Sequence, residues 1–179
     1  DDCLLEKAVE VILQWINDVK EISSIAAVAG LKISFDGNVW GGNPENKDNG
    51  WIEASNFERN KYCLNGDKAE VYRTDILRKH KFPEFDGEYF VTEAVCWDSI
   101  AADGYKIRWY NTPIYVCDYL EDGLTKGAWN LIKKNPMGYA MLYDHKLKYH
   151  HRLKDRIYDV IQMVAQSIIG RNPLYFVQS

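Results

Sequence analysis

Phe82-Pro83-Glu84-Phe85-Asp86-Gly87-Glu88-Tyr89-Phe90-Val91-Thr92-Glu93-Ala94-Val95-Cys96-Trp97, continued by Asp103-Gly104-Tyr105-Lys106 and by Asp118-Tyr119-Leu120-Glu121-Asp122-Gly123-Leu124-Thr125-Lys126, is the stretch whose reading decides the fold. Pro83 stops the helical turn expected over 73–79, because the residue before a proline is pushed out of the helical region. Phe90, Ala94, Trp97 and Ala101 recur at helical spacing and predict a helix over about 90–102, closed by Asp103-Gly104. Strands are predicted over 105–110 and 114–119, separated by an Asn111-Thr112-Pro113 turn. The whole stretch is therefore an acidic turn, a short helix, two strands and a second acidic turn that contains glycine.

Working outward, Leu5, Ala8, Val9, Ile12, Ile16 and Val19 share one helical face and predict an amphipathic helix over 3–20, capped by Asp1 or Asp2. Residues 22–35 are rich in β-branched and small side chains and predict one or two strands, with Gly30 at a bend or bulge. From Asp36 to Asp67 the chain turns to Gly, Asn, Asp and Lys, and an irregular stretch is expected. Trp40, Trp51, Phe57 and Tyr62 within it can stack on a sugar or pin the loop to the body. Residues 66–72 predict a further strand. After Gly123 the chain turns helical, breaks near Pro136, and ends in a helix marked by Leu153, Ile157, Val160, Ile161, Val164 and Ile168. The expected class is α+β, a mixed sheet flanked by helices with a C-terminal helical pair, divided into 1–126 and 127–179.

A net charge of −4 argues against a nucleic-acid binder, which needs a basic face. Cys3, Cys63, Cys96 and Cys117 contain no C-x-x-C pair, so reduced, mostly buried thiols are expected rather than a zinc site or a disulfide framework. His80, His145, His150 and His151 lie among basic residues without paired metal spacing and read as surface residues. No apolar run approaches bilayer length and no signal peptide is seen, so cytoplasmic residence is expected. The abrupt start at Asp1-Asp2 reads as a cut inside a larger protein.

Three features together resemble the family 2 glycosyltransferases of the GT-A fold. Asp1-Asp2-Cys3-Leu4-Leu5 is similar to the end of that family's Asp-x-Asp-Asp strand where it enters a Leu-rich helix. Thr92-Glu93, with Gly104-Tyr105-Lys106 at the matching distance, resembles the family's acidic pair and the strand entry after it. Glu stands here for the commoner Asp, and Thr92 replaces its acidic neighbour. Tyr119-Leu120-Glu121-Asp122-Gly123-Leu124-Thr125 resembles the loop that folds over the donor. The likeness runs from Asp1 to about Lys126.

The resemblance implies the C-terminal, acceptor-side part of an inverting enzyme that moves one sugar from a nucleotide-sugar to a hydroxyl, in bacterial surface-polysaccharide or glycolipid synthesis. No Gln-x-x-Arg-Trp signature of processive synthases is present. It implies Glu93 as general base, with Glu88 in reserve, and Asp1 and Asp2 as ligands of Mn2+ or Mg2+. It further implies Thr125 and Lys126 on the donor diphosphate, and Glu88, Tyr89 and Trp97 on the acceptor side. Association with the inner face of a membrane and homodimerisation are the partner expectations. The rival is a non-enzymatic carbohydrate- or protein-interaction module built on Trp40, Trp51 and Tyr62.

Overall fold

A computed structural model describes residues 2–44, 50–118, 128–149 and 152–175. The chain is α+β and divides into two compact units, Asp1–His80 with Asp98–Tyr119, and Lys81–Trp97 with Leu120–Ser179. The expected boundary at 126/127 lies outside the described residues.

The first unit is built on a five-stranded mixed sheet. Its strands are β1 (Cys3–Leu4), β2 (Ile25–Ile33), β3 (Trp51–Ala54), β4 (Lys68–Tyr72) and β5 (Lys106–Val116). The order is β1-β5-β2-β4, with β3 also on β5; β2 and β5 run parallel and the remaining pairs are antiparallel. β2 is almost wholly buried, as an apolar run covered on both faces should be.

On one face, helix α1 (Ala8–Val19) lays Ala8, Trp15 and Val19 against Ile25, Val28, Tyr110 and Ile114. The Trp15 and Tyr110 rings stack with centroids 4.0 Å apart and planes 3° from parallel. On the other face, Ala27, Ala29, Ala54, Leu64, Ile107 and Trp109 form a second cluster.

Several expectations need correction. Cys3 and Leu4 are strand, not the first turn of α1, because they pair with Val116 and Tyr115 of β5. Asp2 therefore caps nothing; Lys7 stands at the helix N-cap without a side-chain cap. Trp15 rather than Ile16 is the buried anchor of α1, and Val9 and Ile16 are exposed. The two strands expected at 105–119 are one, β5. Between Ala29↔Trp109 and Leu31↔Pro113 the register with β2 shifts, so the expected turn is absorbed as a bulge. Gly30 lies opposite it, where a Cβ would stand 2.8 Å from both Ile114 Cγ1 and the Thr112 carbonyl. The bulge expected at Gly30 thus falls in β5, across from it, while Gly30 itself stays in regular register with Ala69 of β4.

The stretch 36–67 is also less irregular than expected. It contains β3 and a 3-10 helix, Asn56–Tyr62, whose start is closed by a reciprocal Ser55–Glu58 capping box.

In the second unit, α4 (Ala128–Lys134), α5 (Pro136–Tyr149) and α6 (Leu153–Ile169) follow one another, α5 packing along α6. The helical break falls at Asn135-Pro136, where it was expected. The helical turn expected over 73–79 is α2 (Thr74–Leu77) of the first unit, and helix α3 (Ala94–Ala102), shared by the two units along the chain, begins four residues later than predicted. None of the helices among the described residues is long and apolar enough to cross a membrane.

Candidate functional site

Two places carry chemistry, one in each unit. In the second unit, residues Phe82 to Glu93 enclose an open cleft of about 630 Å³. Glu93 is exposed on its wall, immediately before α3, and its backbone carbonyl accepts the amide of Trp97 at 3.0 Å, the first helical bond. No hydrogen-bond or ion-pair partner occupies the Glu93 carboxylate among the described residues.

Glu88 lies on the same cleft and is differently employed. Its Oε1 accepts the Met137 amide at 2.7 Å and its Oε2 the Gly138 amide at 2.8 Å, so it caps the N-terminus of α5. Asn135 completes the junction. Its Oδ1 accepts the amides of Tyr89 and Phe90 at 2.8 and 3.0 Å, and its Nδ2 donates to the Leu131 carbonyl at 2.8 Å. A Cβ at Gly138 would meet the Phe90 carbonyl at 2.5 Å, which is why the approach needs a glycine.

Tyr89 is 97% exposed at the rim. Trp97 is half-buried and meets Phe82 edge-on, with centroids 6.1 Å apart. The cleft floor is therefore rigid backbone tied to α5, with an exposed carboxylate and an exposed phenol above it.

In the first unit, Asp2 sits at the carboxyl ends of the parallel strands β2 and β5. That is where open α/β sheets place ligands. The Tyr115 hydroxyl donates to Asp2 Oδ2 at 3.0 Å, and the Lys32 ammonium stands 5.2 Å from the Tyr115 ring centre. Burial pushes the Cys117 thiol up; Asp2, Asp67 and Asp118 add to the shift and Lys32 opposes it, so these charges share one sheet end.

Lys32, Lys68 and Tyr115 also line an adjoining cleft of about 320 Å³. Lys68 is buried, and desolvation lowers its ammonium to about 8. Its Nζ donates to the carbonyls of Trp40, Asn65 and Asp67 at 3.3, 3.0 and 3.3 Å. No motif marks Lys68; a lysine opening a strand that also carries Ala69 and Val71 was the available signal.

Asp1, Thr125 and Lys126 lie outside the described residues. No three His, Cys, Asp or Glu side chains come together as a metal site among the described residues. A hard cation needs only one or two carboxylates when phosphates and water complete its shell, and the exposed Asp2 oxygens fit that donor set.

Trp40 and Trp51 act as pins, whereas Phe57 is exposed. Trp40 donates its indole N–H to the Cys117 carbonyl at 2.7 Å, and the Arg108 guanidinium lies 4.0 Å from the Trp51 ring centre. Two histidines depart from the surface reading. His145 is buried with its ring against Tyr149, and the mostly buried His80 stands 3.3 Å from Asp103. His150 and His151 lie outside the described residues.

No protein-family model matches this chain, and no curated protein matches it.

Proposed function

We propose that this chain is the acceptor-side part of a GT-A, family 2 glycosyltransferase that moves a single sugar from a nucleotide-sugar to a hydroxyl with inversion, acting in the cytoplasm in surface-polysaccharide or glycolipid synthesis. The observation that carries the reading is the contrast between two acids on one cleft. Glu88 has both oxygens engaged by the start of α5, whereas Glu93 offers an exposed carboxylate. An acceptor hydroxyl seated beside Tyr89 and Trp97 would give its proton to Glu93 as its oxygen attacks the sugar's anomeric carbon.

Asp1 and Asp2 are the residues that would hold Mn2+ or Mg2+. The cation supplies charge neutralisation of the departing diphosphate. Thr125 and Lys126 would hold the same diphosphate through a hydroxyl and an ammonium. In the family this part of the domain is accompanied by nucleotide-binding strands, so the 179-residue chain by itself should bind donor weakly.

Calorimetry with UDP- and GDP-sugars, with and without manganese, tests the proposal on this chain and on a version extended at its N-terminus. Metal-linked donor binding in the extended protein alone is the expected result. Metal-independent binding of free glycans by both proteins would instead establish the interaction module.

A further inference from the structure

Helix α6 is buried on its polar side. Asp159 and Ser167 are 2% and 0% exposed, with Gln166 and Met163 buried beside them. The side a soluble helix normally hides is in the open: Leu153 and Ile161 are 74% and 58% exposed, and Ile157, Val160 and Ile168 are exposed with them. At 3.6 residues per turn these five side chains form one continuous stripe, with Lys154 on one flank and Arg156 on the other. An apolar stripe of this length needs a cover.

The charge around it says which. Between Ala128 and Tyr175 the described residues carry eight lysines and arginines against three aspartates, in a chain whose net charge is −4. Of the aspartates, Asp159 is buried and Asp144 stands 3.9 Å from Lys148 as an ion pair. A second copy of α6 is a poor cover. Paired in parallel, it would set Arg152, Lys154 and Arg156 against themselves. Paired antiparallel, it would set them against Ile168, Ile169 and Arg171, with no acid in reach. Too short to span a bilayer, the helix has the build of one that lies in the headgroup plane.

We propose that α6 docks this unit on an anionic membrane surface, with Leu153, Ile157, Val160, Ile161 and Ile168 in the acyl boundary and Arg152, Lys154 and Arg156 among the headgroups. This holds whatever reaction the chain serves.

Flotation of the full chain with vesicles of phosphatidylcholine, and with vesicles of equal parts phosphatidylcholine and phosphatidylglycerol, is the test. Partition onto the anionic vesicles should be at least about tenfold stronger, since each basic residue near such a surface contributes about 1 kcal/mol. Arg152→Gln with Lys154→Gln should remove most of that preference. Ile157→Asp with Ile161→Asp should abolish binding to both vesicles, with circular dichroism unchanged. If the aspartate pair perturbs folding, Leu153→Gln, at the most exposed position, should still weaken partition several-fold. Absence of partition, or partition indifferent to these changes, overturns the proposal. So does a concentration-dependent dimer that the aspartate pair dissociates while the parent ignores vesicles.

Discussion

The carboxylate of Glu88 accepts the backbone amide of Gly138 at 2.8 Å, from a residue 50 positions further along the chain. That bond, its twin to Met137 and the Asn135 bonds make the cleft wall and the start of α5 one piece. Glu88→Ala should lower the stability of the second unit by about 1–3 kcal/mol, the cost of losing a half-buried, charged helix cap. Asn135→Ala should do likewise, and Glu88→Gln, which keeps one acceptor oxygen, should cost less. Urea denaturation followed by hydrogen exchange at the α5 amides checks the order.

Gly30→Ala should destabilise the sheet by about 1–3 kcal/mol, because the new methyl group meets the Thr112 carbonyl and Ile114 at 2.8 Å. Equilibrium unfolding of the variant measures it. An unchanged midpoint would show that the bulge in β5 relaxes freely.

Lys68 ties stability to alkaline pH. Its ammonium is lowered from 10.5 to about 8 by burial, so between those values the unfolded chain holds a proton that the folded chain has released. Raising the pH through that window therefore stabilises the fold, by on the order of 1–3 kcal/mol. Lys68→Met lacks the increment, so the parent should gain on the variant as pH rises from about 8 to 10.5. Paired thermal melts across the window read the difference directly.

Thiol accessibility divides the four cysteines evenly. Cys3 and Cys63 are exposed; Cys96 and Cys117 are buried, and burial pushes the Cys96 thiol up to about 11. Two thiols per chain should react promptly with a nitrobenzoate disulfide reagent, and two only after denaturation. The expectation of mostly buried thiols holds for half of them.

What could be read in advance was local. The stripe of α6 and the break at Pro136 each follow from neighbours a few residues apart, whereas the bulge expected at Gly30 lies across the ladder in β5. Partners far along the chain decided the rest. Cys3 and Leu4 left the helix for a ladder with β5, and Glu88 became a cap for the amide of Met137, 49 residues further on. Ser55 and Glu58 did carry a capping-box signal for the 3-10 helix inside the expected loop, hidden by the surrounding Gly and Asn. At the site, Glu93 was singled out by the resemblance rather than by helix periodicity. Lys68 was not legible, because its shift arises from burial under chain distant from it in the sequence.

If Glu93 is the base proposed above, its exposed carboxylate removes the acceptor proton. Glu93→Gln in the N-terminally extended protein, assayed for sugar transfer alongside donor affinity, tests this most directly. A fall in kcat of about 10²–10⁴ with donor Kd essentially unchanged is expected. Transfer at the parent rate would contradict it.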